Sequence, residues 1–245
     1  MHSRYERKAR MKFAKLSAPS LKDLFIREIE GMILSGKLPI GSKLPTEREL
    51  STSMGVSRAV VNSGLIEMTR KGFVEMKPRV GAIVADYRRR GTTETLTSIM
   101  HYNGGVLPKA DIKSLLEFRI VFETLALELG VPRATKDDLK RLKAIAEQFS
   151  AADTPAAAAQ AIYDFHHEIS VISGNTILPI IFYSFSTLQQ MLWTRYFELY
   201  GYEKLQQTTR ELYHLIEARD TKGAIANLTS SINETISGKA PIYYE

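Results

Sequence analysis

Along residues 20–35, "SLKDLFIREIEGMILS", apolar side chains recur at Leu21, Leu24, Phe25, Ile29, Met32 and Ile33, the spacing of a helix with one buried face. Ser20 stands at an N-cap position and Gly36 where such a helix stops. Beyond a Pro39-Ile40-Gly41 turn, Thr46 can cap a second short helix, with Glu49 at the capping-box position and Met54-Gly55 as its end. Ser57 caps a third helix reaching about Arg70. The pattern then alternates. Gly72-Phe73-Val74-Glu75-Met76 and Ala82-Ile83-Val84 predict two short strands joined by Lys77-Pro78-Arg79-Val80-Gly81. Three helices and a hairpin with a basic tip predict a winged helix-turn-helix.

Asp86-Tyr87-Arg88-Arg89-Arg90-Gly91 is polar and basic, and after it the pattern is almost purely helical. Helices are expected near 93–102, 109–130, 136–150, 155–173, 176–200, 203–219 and 221–237, which makes a bundle. The expected fold class is therefore mainly α: a winged helix-turn-helix followed by an all-α bundle of six or seven helices. The expected organisation is a basic arm over 1–19, the winged domain over 20–86, a linker over 87–92, and a helical domain over 93–238.

Charge changes this picture by separating the halves. Residues 1–90 carry 19 Lys and Arg against 9 Asp and Glu, whereas residues 91–245 carry 14 against 18. A basic front on an acidic back points to a polyanion that meets the front half alone. Cysteine is absent, which excludes disulfides and cysteine-ligated zinc and fits a reducing cytoplasm, the expected location. The most apolar run, Ile177 to Phe185, is far short of the roughly 18–20 residues that span a bilayer. The N-terminal "MHSRYERKARMKFAKLS" has no apolar stretch of the kind a secretory signal needs.

A helix-turn-helix reads DNA by laying the N-terminal residues of its second helix against base edges in the major groove. Ser57 and Ala59 are small enough for close approach, and Arg58 can reach guanine O6 and N7 together. Arg48, on the preceding helix, is placed for a phosphate or a base. Lys77 and Arg79 at the hairpin tip, and the arm from Arg4 to Lys15, are candidates for phosphate or minor-groove contacts.

The stretch "IGSKLPTERELSTSMGVSRAVVNSGLIEMTRKGFVEMKPRVGAIV" resembles the N-terminal domain of the GntR family of bacterial repressors, whose pattern is similar to P-G-x-x-L-P-[TS/A]-E-R-E-L, then G-V-S-R, then a wing. The resemblance completes the candidate DNA-contact set as Thr46, Arg48, Ser57, Arg58, Ala59, Asn62, Lys77, Arg79 and Gly81. It also marks departures. Asn62 and Ser63 replace an Arg and a Glu usual in the family, so Asn62 becomes a candidate reader of adenine. Gly64 inside a helix costs about 1 kcal/mol relative to Ala.

In the bundle, informative residues are polar ones on apolar stripes. Arg119 falls among Ile112, Leu115, Leu116, Phe122, Ala126 and Leu129, where it either faces a cavity or pairs with Glu123 four residues on. The stripe Ile162, Phe165, Ile169, Ile172 turns His166 inward and His167 outward, so His166 is either a satisfied core residue or a ligand contact. Arg195, between Leu192 and Leu199, is a third inward cation. Cations converging in an apolar bundle suit an anionic organic ligand, and Trp193 either lines that pocket or is plain core.

"EFRIVFETLALELG", "DFHHEISVISGN" and "LIEARDTKGAIANL" are similar to the FCD sensor domain of the FadR subfamily. Many such domains resemble one another in a metal site, whose positions here correspond to Ile162, His166, Thr209 and Ser231. One imidazole cannot hold zinc, for which three or four N, O or S ligands are usual, so no metal or other cofactor is expected. The candidate effector contacts are Arg119, His166, Trp193, Arg195 and Thr209.

The resemblance implies a homodimeric repressor bound to a palindromic operator and released by a small organic acid or an acyl-CoA, with activation left open. A metal-carboxylate-responsive regulator of the same family and an architectural DNA-binding protein without sensing remain as alternatives. A helical metalloenzyme fails because Asp164, His166, His167 and Glu168 of "DFHHE" scatter around their helix.

Overall fold

The computed structural model describes residues 18–104, 107–237 and 240–242, so nearly all of the basic arm expected over 1–19 lies outside it. The chain divides into two compact units, with the boundary between Thr92 and Thr93.

In the first unit, α1 (Leu21–Leu34), α2 (Glu47–Met54) and α3 (Arg58–Arg70) precede β1 (Val74–Lys77) and β2 (Gly81–Val84). Each helix starts on a side-chain cap: the hydroxyls of Ser20, Thr46 and Ser57 accept from Asp23, Glu49 and Val60 N–H. Such caps contribute about 1 kcal/mol each. α1 lays Phe25, Ile26, Ile29 and Ile33 on Val61, Leu65 and Met68 of α3, and Phe73, Val74 and Val84 close this core from the hairpin.

Gly64 is what lets α1 and α3 approach. It is buried under the Phe25 ring, and a Cβ there would lie 2.4 Å from Phe25 Cδ1. Its low helix propensity is the cost of that contact.

β1 and β2 pair antiparallel, with Val74 opposite Val84 and Lys77 opposite Gly81. The outer edge of β2 is covered as well: Leu44 N–H donates to Ala82 O, and Val84 N–H to Ser42 O, each at 2.9 Å. The first strand begins at Val74 rather than Gly72.

The segment expected as a linker over 87–92 contains a one-turn helix, α4 (Tyr87–Arg90). Asp86 caps it by accepting from Arg88 N–H, Tyr87 packs its ring 5.4 Å from that of Phe73, and Arg90 pairs with Glu75. These contacts attach the segment to the hairpin, which a reading of charge alone could not foresee.

The second unit holds α5 (Thr93–Tyr102), α6 (Lys109–Gly130), α7 (Lys136–Ser150), α8 (Pro155–Ile172), α9 (Leu178–Ser184), α10 (Ser186–Tyr200), α11 (Glu203–Glu217) and α12 (Thr221–Ser237). α8 is its axis, packed by α6, α7, α9 and α10, while α12 lies on α6 and α11. The small Ala158, Ala159 and Ala161 on α8 permit this crowding. Ile112, Leu127, Leu142, Phe149, Phe165 and Leu188 fill the centre.

Eight helices appear among the described residues instead of six or seven, partly because the stretch expected as one helix over 176–200 is two. It breaks at Phe185, whose φ of −97° and ψ of 6° interrupt the ladder while its ring contacts Phe118 at 5.1 Å. No described helix is long and apolar enough to cross a membrane.

Candidate functional site

On the first unit, α2 and α3 are joined by Gly55-Val56-Ser57. Gly55 has a φ of 64°, the left-handed conformation that ends α2, and Ser51 Oγ fixes the turn by donating to Val56 O. The turn leaves Ser57, Arg58, Ala59 and Asn62 exposed at the start of α3, with Arg48 exposed on α2.

Three of the expected DNA-contact side chains, Thr46, Ser57 and Asn62, already have work within the fold, Ser57 as the cap of α3. Thr46 Oγ1 accepts from Glu49 N–H, while the Thr46 hydroxyl and backbone N–H both donate to Glu49 Oε2 and hold its carboxyl below its usual range. Asn62 Nδ2 donates to Glu47 Oε1 at 3.2 Å, bridging α3 to α2. Asn62 therefore must leave Glu47, or share its amide, to read a base.

Lys77 and Arg79 are exposed at the hairpin tip, where Arg79 takes a φ of 63°. Gly81 is the first residue of β2, paired with Lys77. Over residues 18–92 the basic excess is 13 against 8, so half of the surplus of the front half belongs to the arm.

The second unit contains a cavity among α6, α8, α10, α11 and α12, with about 550 Å³ of empty space including its mouth. Arg119, His166, Trp193 and Thr209 all line it, as do Ile162 and Ser231. Arg195 does not. It is half-buried on α10 and its Nε donates to the backbone oxygen of Ile242 at 3.2 Å, an acceptor from far along the chain that periodicity could not reveal.

The polar centre of the cavity is a buried cluster. Arg119 Nε donates to Glu123 Oε1 at 2.6 Å, and His166 Nδ1 lies 2.8 Å from Glu123 Oε2. Burial pushes the Glu123 carboxyl up, but the Arg119 guanidinium and the His166 imidazole outweigh it and hold the group at about 2. Glu123 is thus an anion that fixes both neighbours; the i,i+4 spacing pointed to its pair with Arg119 but not to its contact with His166.

Trp193 completes the arrangement. Arg119 Cζ stands 4.4 Å from the centre of the indole, and the His166 ring lies nearly parallel to it at 5.6 Å. Arg119 is only 7% exposed, yet among the described residues neither of its terminal nitrogens meets a carboxylate or carbonyl. A guanidinium that donates to its carboxylate through Nε alone keeps further N–H groups with which to donate.

Asn227 also lines the cavity and was missed from sequence. The signal was present in its spacing, since Ala224, Asn227 and Ser231 fall on one face of α12. His167, expected outward, is half-buried, its ring stacked on Tyr163 at 5.7 Å.

The four positions of the family's metal site, Ile162, His166, Thr209 and Ser231, do converge on the cavity, but as donors they amount to one imidazole and two hydroxyls. They do not fit a metal. No group of three or more His, Cys, Asp or Glu with metal-holding geometry occurs among the described residues.

Comparison with known proteins gives two family matches. Residues 25–84 match the bacterial regulatory proteins of the gntR family, and residues 114–234 match the FCD domain. The chain is 27% identical over 218 residues to the HTH-type transcriptional regulator LutR of Bacillus subtilis, covering 84% of this chain and 97% of LutR. It is 32% identical over 162 residues to the Uxu operon regulator of Haemophilus influenzae, covering 66% of this chain and 55% of that one. It is 28% identical to the HTH-type transcriptional repressor NanR of Escherichia coli, covering 68% of this chain and 63% of NanR. The matches to the last two thus span somewhat over half of their lengths. Among solved structures, Lar, described as controlling the agr system of Listeria monocytogenes, shares the fold with a TM-score of 0.63 at 17% identity, over 90% of this chain and 97% of that one.

Proposed function

The chain belongs to the GntR family of transcriptional regulators and carries an FCD ligand-binding domain, and from that premise we propose that it is a repressor that holds a palindromic operator as a homodimer and releases it on binding a small organic acid. It is a DNA-binding regulator and not an enzyme.

The observation that carries the sensing half of this proposal is the buried Arg119 with unmatched terminal N–H groups at the cavity. The carboxylate of the acid meets that guanidinium, His166 and Trp193 form the adjoining wall, and Thr209 supplies a hydroxyl. A small acid suits this reading better than an acyl-CoA, because the Arg119 guanidinium calls for a carboxylate and the acyl end of a thioester carries none. The sensor works without a metal, since the donor set at the four family positions supplies one imidazole whose Nδ1 already faces Glu123.

On the DNA side, Arg58 and Ala59 enter the major groove with Ser57, Arg48 and Lys77 contact phosphates, and Arg79 reaches from the wing. Exposed Phe118, Val121 and Leu125 form an apolar stripe on α6, and Phe118 and Phe122 touch Phe185 and Phe182 beside α9, which exposes Ile180 and Tyr183. That surface supports the homodimer. Release requires that the acid bind one arrangement of the dimer better than the other, since only differential affinity can shift operator binding.

Native mass spectrometry of untagged protein tests the proposal. A dimer carrying an organic acid and no metal is the expected result. A monomer, or a dimer with stoichiometric zinc or nickel, would overturn the homodimer or the metal-free sensor respectively.

A further inference from the structure

The anion-binding reading of the cavity specifies one end of the ligand. Resting on it, we infer that the ligand is a monocarboxylic acid with an apolar body and one hydrogen-bond donor, a hydroxylated acid, and that Asn227 selects it.

Aliphatic side chains make about half of the cavity wall, with Leu116, Ile162, Leu192, Leu212, Leu228 and Ile232 among them. Two of its hydroxyls are already committed as donors: Thr208 Oγ1 to Lys204 O at 2.9 Å and Thr235 Oγ1 to Ile232 O at 2.6 Å. Asn227 differs from both. Its Nδ2 donates to Glu211 Oε2 at 3.4 Å, which orients the amide, while Oδ1 is buried and accepts from no group among the described residues.

A buried acceptor without a donor carries an uncompensated desolvation cost, and a ligand that donates to it removes that cost. Oδ1 accepts and does not donate, so a second carboxylate would be repelled there. A polyol would present more hydroxyls than Asn227, Thr209 and Ser231 could meet and would leave the rest against leucine and isoleucine. One carboxylate for Arg119, one hydroxyl for Asn227 and hydrocarbon between them match the lining.

Trp193 is the sole tryptophan of the chain and sits against Arg119, so its fluorescence reports the cavity in the full-length protein. The probes are hexanoate, its 2-, 3- and 6-hydroxy derivatives, adipate and 1,6-hexanediol. At least one hydroxyhexanoate should bind about tenfold tighter than hexanoate, with adipate and the diol weaker by about tenfold or more than that isomer. Asn227→Leu should bring the preferred isomer to within about twofold of hexanoate, and Asn227→Asp, which keeps an acceptor, should retain the preference with lower affinity for all anions. Thermal melts of both variants separate this from loss of fold. If hexanoate and every hydroxyhexanoate bind within about twofold of one another, the role of Asn227 is wrong while the anion site stands. If no carboxylate binds, or the diol binds as well as the acids, the anion-binding reading itself falls.

Discussion

Phe25 lies across Gly64, so close that a methyl group on Gly64 would meet the ring at 2.4 to 2.6 Å. An Ala at this position would gain about 1 kcal/mol of helix propensity. It would also force the ring away from a core in which Phe25 is almost wholly buried, an overpacking that costs about 1–3 kcal/mol. The second effect outweighs the first, because α1 and α3 share the core of the unit. Gly64→Ala is therefore expected to destabilise the protein by about 1 kcal/mol in urea unfolding. A gain in stability would show that α1 yields easily.

The same residue shows how far the sequence could be read. Ser20, Thr46 and Ser57 are local signals, each a cap followed by a periodic stretch, and they located the helices that present Arg58. Gly64 was legible as a cost but not as a contact, because its reason lies on a helix some forty residues away. Phe185 gave no sign of a break, having no Gly or Pro at hand; its ring contact with Phe118 belongs to the tertiary fold. Arg119 and His166 stood out as polar residues on apolar stripes. Arg195 looked the same but is satisfied by the Ile242 carbonyl, an acceptor that side-chain periodicity does not register.

Glu123 sets a pH dependence. Its carboxyl lies at about 2 in the folded protein against an ordinary 4.5, so the stability it contributes is fully present above about pH 4.5 and is lost as pH falls toward 2. Glu123→Gln leaves Arg119 buried without its anion, which costs about 3–5 kcal/mol. Urea unfolding across pH 2 to 6 should show the variant less stable at pH 6 and with a flatter profile below pH 4.5. A parallel profile at unchanged slope would assign the acid dependence to other carboxylates.

Arg58 and Arg79 of the first unit should fail differently. Given an operator recovered by selection from random DNA, Arg58→Ala should lose about 1–3 kcal/mol on that site and little on unrelated DNA, as a base contact would. Arg79→Ala should weaken both about equally and lower the slope of log K against log salt by about 0.9, as one phosphate contact would. Fluorescence anisotropy at several salt concentrations measures both. Equal behaviour of the two variants would mean that Arg58 does not read a base.

Val121 is 72% exposed in the middle of the α6 stripe formed with Phe118 and Leu125. If this stripe is the homodimer face, an isologous contact brings each residue against the same patch of the other copy, so Val121→Glu places two buried like charges in one interface. The monomer should hardly register the change, because an exposed surface substitution is usually within about 0.5 kcal/mol. Sedimentation equilibrium should show a dimer dissociation constant raised by about a hundredfold, the effect of roughly 3 kcal/mol. Operator affinity should fall with it, since two linked reading helices lose their shared effective concentration. A Val121→Glu protein that melts normally and stays dimeric at the same constant would place the interface elsewhere. One that is monomeric, folded and still binds operator tightly would mean that a single winged domain suffices, and would remove the palindrome from the proposal.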